Sequence, residues 1–288
     1  MLWGHLREEE FYDAIEQSRG LCVMPMGCME MHGQHLPVAT DTMKITYALH
    51  EAAKIEPVME FPPFQFGDVQ GLVRWKGSIR LTVELEQELL KQLCSEIARN
   101  GFKKILLLNS HGGNAAMINS FIRSTMHDKK DYVVTSCSLG AKYASPYYMM
   151  EVLEKEGREA LYELNDEDIE VIKEFVENKR TYGHAGFGET ALIFGCHPEL
   201  VRMDRADAVS GLSTHRADYL NEVGLGESTR FWGINYPNSY AGDTPYGCNE
   251  RFGKCGMRLL TQAVLKVIRV LKYDDNILKW NEEWNNSW

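Results

Sequence analysis

Apolar residues fall along this chain in two rhythms that alternate. Short continuous runs, Leu21 to Met26, Ile105 to Leu108 and Tyr132 to Leu139, read as strands covered on both faces. Between and around them apolar positions recur at helical spacing: residues 8 to 18, ending near Gly20; Thr42 to Lys54; Thr82 to Asn100, with Thr82 opening a capping-box pattern and Gly101 as stop; and Ala115 to His127. Residues 56 to 67 read as a strand broken by Pro62-Pro63. The segment 146 to 180 is acidic and helical in pattern, capped near Asn165, and is expected as an exposed surface or subunit-contact helix pair. Met257 to Lys272 is a long amphipathic helix, and the tail with Trp280, Trp284 and Trp288 reads as a packing or oligomer strap. Two loops rich in glycine, 71 to 81 and 236 to 254, interrupt the pattern. Repeated strand–helix units without an internal repeat predict one α/β domain over residues 1–288 with a mostly parallel sheet.

Polar chemistry concentrates where strands end. Behind the run Leu21 to Met26 stand Glu30, His32, His35 and Asp41. Glu30 and His32 are two apart, so on extended backbone both side chains leave one face and can grip one metal centre. Asp41 stands at a helix start, where a carboxylate can bridge two cations. Singly, Asp41 reads as an N-cap, Glu30 as a strand-end charge and His35 as a loop histidine. Together, two carboxylates and two imidazoles behind a hydrophobic strand are costly unless a cation, a partner or water compensates them. The run at 105 to 108 ends in Asn109-Ser110-His111-Gly112-Gly113-Asn114, which the parallel pattern places on the same sheet edge. A third glycine turn, 182 to 195, carries His184 and Glu189 into a helix; it lacks both the GxGxxG spacing and the Walker lysine of a phosphate loop.

Composition narrows the partners. A net charge of -10 and a pI near 5.4, with no Lys/Arg cluster, argue against nucleic acid. Seven cysteines without CxxC spacing, several inside apolar runs, point to a reduced, cytoplasmic protein, and the acidic amino terminus lacks the order of a signal peptide. No apolar run approaches the length of a membrane span.

The segments GCMEMHGQHLPVATDT (27 to 42), NSHGGN (109 to 114) and GHAGFGET (183 to 190) together resemble the signature blocks of the creatininase family, with WKGSIRL (75 to 81) and GDTP (242 to 245) as weaker blocks. The resemblance implies a three-layer α/β/α fold and a site for two divalent ions, Zn, Mn or Fe. Glu30, His32, Asp41 and His111 match its ligand positions, with Asp41 bridging; Glu189 completes the set as fifth ligand or serves as general base, and His184 matches a proton-transfer histidine. Creatininase itself has a glutamate two residues after the second-block histidine. Here that position is Gly113, which argues against creatinine as the substrate. Hexamers are common in the family, so a homo-oligomer is expected.

The expected activity is a binuclear metal hydrolase in which a hydroxide held between the ions attacks the carbonyl of a small cyclic amide or formamide. Hydrolytic C–C ring opening of a cyclic ketone, as in carbohydrate or inositol breakdown, needs the same attack. A non-catalytic binding protein on the same fold is the other class, and the full ligand set speaks against it. Asn114, Trp75, Trp232 and Tyr240 are candidate substrate contacts from their glycine-rich loops. Cys28 as a nucleophile is less economical than His32 as ligand and His35 behind it.

Overall fold

The computed structural model describes residues 1–69, 71, 74–225 and 229–288; Leu72 and Val73 of the 71–81 loop lie outside the described residues. Four parallel strands, β1 (Leu21–Met26), β2 (Met59–Glu60), β3 (Lys104–Asn109) and β4 (Val133–Ser138), pair in the order β2-β1-β3-β4. Side chains of a strand alternate between faces, so each buried run feeds two cores. Leu21, Val23, Leu106 and Leu108 face one core, and Cys22, Met24, Met26, Ile105 and Leu107 face the other. Each fully buried side chain of this kind contributes roughly 1.5–3 kcal/mol.

Helices cover both faces. On the first lie α2 (Thr40–Ile55), α5 (Pro146–Glu156), α6 (Asp166–Glu177), α7 (Phe187–Cys196) and α9 (Glu250–Tyr273). On the second lie α1 (Glu10–Gln17), α3 (Val83–Arg99) and α4 (Asn114–Ser124). The sheet is therefore the middle of three layers. From β1 the chain passes through α2 to β2 on one side, then through α3 to β3 on the other. The carboxyl ends of β1 and β3 consequently border the crevice where the winding reverses, the usual ligand position in such sheets. Met26 pairs with Asn109 and Asn109 with Ser138, so the three long strands end level and release their loops side by side.

Several boundaries differ from expectation. Pro62-Pro63 cut the second strand to two residues. Thr82 caps α3 by accepting from the Leu85 amide, without the reciprocal half of a capping box, because Leu85 occupies the third helical position. The acidic segment is not merely a solvated pair: Met149, Val152, Ile169, Ile172 and Phe175 enter the core. Asn165 and Asp168 form a full capping box there, and Asp168 also takes the guanidinium of Arg251. A short helix, α8 (Thr229–Asn235), was not foreseen. The tail forms α10 (Ile277–Asn286), whose Asn281 and Asn285 amides donate to the Lys130 carbonyl beside β4. Among the described residues no helix is long and apolar enough to cross a membrane.

The largest boundary difference is α9, which begins at Glu250 under an Asn249 cap, seven residues before the expected start at Met257. Gly253 reads as a loop residue, yet it lets α9 touch α7: a Cβ there would stand 2.5 Å from the Gly195 amide nitrogen. Gly253→Val is expected to force the helices apart and to cost about 3 kcal/mol, as overpacked cores do. The check is the urea midpoint at constant slope. An unchanged midpoint would show that the two helices separate at no cost.

Candidate metal centre

The loop leaving β1 is pinned around the candidate ligands. Glu30 N–H donates to the Val38 carbonyl at 2.9 Å, and a backbone bridge joins His32 to Leu36. The loop leaving β3 is clamped by amides: Asn109 accepts from the His111 amide, and its own side-chain N–H donates to the His111 carbonyl. Asn114 donates to Asn109 and Gly27 and accepts from the Asp68 amide, tying three loops together. Asp41 lies in the first turn of α2 with its side chain turned inward rather than capping. Glu189 lies in the first turn of α7, where its Oε2 accepts from the Ala185 amide at 2.6 Å.

Three imidazoles are oriented by one device. Backbone carbonyls only accept, so each ring nitrogen facing one is the N–H. His32 Nδ1 donates to the Glu30 carbonyl (3.1 Å), His111 Nε2 to that of Asp68 (2.7 Å) and His184 Nε2 to that of Met31 (2.7 Å). The opposite nitrogens turn toward the carboxylates. His111 Nδ1 lies 2.9 Å from Asp41 Oδ2 and 3.2 Å from Glu30 Oε1; His184 Nδ1 lies 3.4 Å from Glu30 Oε1; His32 Nε2 lies 3.5 Å from both Asp41 Oδ2 and Glu189 Oε2. A carbonyl behind the ring and a lone pair in front is how metal-ligating histidines are held. The buried Glu30 Oε1 and His32 Nε2 meet no hydrogen-bond partner, which a cation would remedy. Among the described residues, possible ligand atoms gather in three groups: Cys28, Glu30, Asp41 and His111; His32, Asp41 and Glu189; and Glu30, His32 and His184. The first two share Asp41.

Glu30, His32, Asp41, His111, His184 and Glu189 thus lie together in one buried cluster. Trp232 stands edge-on to His184, ring centres 5.6 Å apart. Trp75 sits in the loop whose Ser78 and Ile79 bond to Met31 and Met29. Tyr240 is fully buried, 5.5 Å from the His35 ring, with its hydroxyl donating to the Asp243 carbonyl. His35 lies behind the ligands on Thr190, and burial pushes it down to about 4, so it is neutral. Sequence reasoning missed Lys44, wholly buried, whose Nζ donates to Asp41 and Glu189. Its signal was a lysine three residues after Asp41, on the buried stripe of α2 with Ile45, Ala48 and Ala52.

Without a metal, protons compensate the site. Burial alone would raise the Glu30 carboxyl, but His184, His111 and His32 overcome it and hold Glu30 at about 2. Burial alone would lower His32, yet Glu189, Asp41 and Glu30 lift it to about 9; His111 is likewise lifted well above its usual range, against burial, by Glu30 first. A cation needs these lone pairs, so binding at pH 7 is expected to release at least one proton per chain. Metal affinity should rise with pH up to about 9, by up to roughly tenfold per pH unit for each proton displaced. Titration calorimetry in buffers of different ionisation heat reads this directly; heats that do not depend on the buffer would refute it.

A family model described as creatininase, creatinine amidohydrolase, matches residues 4–269. This chain belongs to the creatininase family. The creatinine amidohydrolase of Pseudomonas putida is 23% identical over 212 residues, 70% of this chain and 74% of that protein. Among solved structures, a mutant creatininase of the Zn-Zn type covers 95% of this chain and 98% of its own, at TM-score 0.64 and 17% identity. A mutant creatininase complexed with creatine covers 95% and 99%, at TM-score 0.66 and 17% identity. These likenesses show the creatininase fold. With the family comes its chemistry: this creatininase relative is a metal-dependent hydrolytic enzyme of the amidohydrolase type.

Proposed function

We propose that this creatininase-family enzyme is binuclear and hydrolyses the C–N bond of a small cyclic amide or formamide. One observation carries the reading: two groups of ligand atoms share Asp41, and carbonyl-oriented imidazoles point their lone pairs at both. Glu30, Asp41 and His111 would hold one divalent ion and His32, Asp41 and Glu189 the other, with Zn, Mn or Fe suited to such mixed nitrogen and oxygen donors. Ions bound there supply a Lewis acid for the substrate carbonyl and activate water at neutral pH.

The protein's own part is proton handling and orientation. His184 keeps its Nε2–H on the Met31 carbonyl, which leaves Nδ1 to take a proton from the attacking water and pass it to the departing amine. Burial, then His32, holds His184 below its ordinary value, so it is neutral and able to accept at pH 7. Water adds to the carbonyl carbon and the C–N bond breaks, giving a carboxylate and an amine, on one ring-opened molecule from a cyclic amide and as formate plus free amine from a formamide. Trp232 beside His184 supports an aromatic wall for a flat substrate. The Trp75 indole N–H is buried without a partner beside the ligand loop, a donor left for a substrate oxygen. Asn114 and Tyr240, with their polar atoms engaged in the protein, act in this reading through the loops they hold. All seven cysteines are unpaired, which supports a reducing cytoplasmic setting, and a homo-oligomer is proposed from the family resemblance.

The test is a chelated protein restored with Zn or Mn and offered lactams, N-formyl amines and cyclic ketones. Carboxylate and amine released one to one, only with metal, supports the proposal. Carboxylate without amine would replace it with C–C ring opening, and a protein that takes up no divalent metal would end the metal-hydrolase reading.

A further inference from the structure

Lys44 needs an explanation that the reaction above does not give. It is 0% exposed, and a fully buried lysine is rare unless its charge is matched. Here it is matched twice. The ammonium takes Asp41 Oδ1 at 2.5 Å and Glu189 Oε1, from residues far apart in the chain. The oxygens it leaves, Asp41 Oδ2 and Glu189 Oε2, are the two that face His32 Nε2 at 3.5 Å. Lys44 is therefore not loosely near the ligands: it occupies one half of each carboxylate of the His32, Asp41 and Glu189 group. The Cys28, Glu30, Asp41 and His111 group shares only Asp41 with it.

Resting on the metal-hydrolase reading, we propose that Lys44 is a built-in cation that makes the two metal seats unequal. One divalent ion is held tightly by Glu30, Asp41 and His111. The second, at His32, Asp41 and Glu189, is held loosely, because an ammonium already draws on both of its carboxylates. Charge bookkeeping agrees. Glu30, Asp41 and Glu189 bring three negative charges, Lys44 brings one positive, and a single divalent ion closes the sum at zero. A second ion leaves two positive charges in a buried site until an anion arrives. In a low-dielectric setting such an imbalance is strongly opposed, whereas in water it would be screened. Geometry adds that Lys44 leaves Asp41 one oxygen, Oδ2, for both seats, and leaves Glu189, which belongs to the second seat alone, only Oε2.

The experiment is titration of chelated protein with ZnCl2 and, separately, MnCl2, read by calorimetry and by metal analysis after gel filtration. The wild type is expected to retain about one ion per chain, with a second class at least tenfold weaker. Lys44→Met keeps the length and removes the charge; it is expected to tighten the second class by tenfold or more and to retain close to two ions. Lys44→Arg, which keeps the charge, should retain about one. Two equally tight ions in the wild type would overturn the inference while leaving the hydrolase reading intact, and so would a Lys44→Met protein whose second class is unchanged or weaker. No uptake by any of them would instead strike the hydrolase reading itself. Circular dichroism checks that the variants fold, and if Lys44→Met does not, the wild-type titration alone decides between one tight class and two.

Discussion

Asp41→Asn is expected to leave the purified protein nearly free of metal and to lower kcat/KM at least ~10³-fold, about 4 kcal/mol of transition-state stabilisation. Asp41 is the residue that two of the candidate ligand groups share, with Oδ2 2.9 Å from His111 Nδ1 and 3.5 Å from His32 Nε2. Asparagine keeps the shape but not the charge. Its NH2 must also point either at the Lys44 ammonium, setting donor against donor in a buried site, or at the His111 Nδ1 lone pair, which it would then keep from a cation. Lys44 is then left with Glu189 as its counter-ion, so what is lost is one of its two charge-assisted hydrogen bonds, roughly 1.5–3 kcal/mol. The variant should therefore unfold at lower temperature as well as lose metal. Metal analysis and steady-state kinetics check it together, and a variant with full metal content and activity within tenfold would remove Asp41 from the shared position.

His184→Gln separates proton transfer from metal holding. Glutamine can still donate to the Met31 carbonyl that anchors His184, so the loop should stay in place. Metal content is expected to be unchanged while kcat falls ~10²- to 10⁴-fold, the range of a lost general acid–base, with KM little altered. The pH profile supplies the sign. His184 is lowered by burial and by His32, so in the wild type it gains its proton only below its ordinary range, and kcat should fall on that acid side. The variant should lose that limb. If metal disappears along with activity, His184 belongs among the ligands with Glu30 and His32 rather than carrying protons.

What could be read from the sequence follows from where each signal lies. β1 and β3 are continuous apolar runs, a pattern that survives burial on both faces, and their ends had to share an edge once the units were parallel. Glu30, His32 and Asp41 were legible because they crowd behind one strand. His111 followed from the parallel pattern, which put its loop on the same edge, whereas His184 and Glu189 were joined to them only through the motif blocks, since nothing in local spacing brings position 189 to position 30. Lys44 escaped because a lysine on a helix ordinarily reads as a solvated charge, and its second partner lies far along the chain. The start of α9 escaped for a different reason. Glycine weakens an isolated helix, yet Gly253 is what permits α9 to approach α7, a tertiary requirement that overrides propensity.

The separation of Lys44 from Glu189, 145 residues, sets an order on events at the ribosome. At elongation rates of about 5–20 residues per second, Asp41 and Lys44 emerge roughly 7 to 30 s before the carboxylate that completes their cluster. During that interval the nascent chain offers passing metal ions an acidic loop with no rigid frame around it. An ammonium one helical turn from Asp41 gives that carboxylate a partner that is always present and cannot be the wrong ion. That pair is solvent-screened and weak on the growing chain, and the doubly matched ammonium exists only once α7 has been synthesised and docked, so the buried ion cluster is a property of the finished fold.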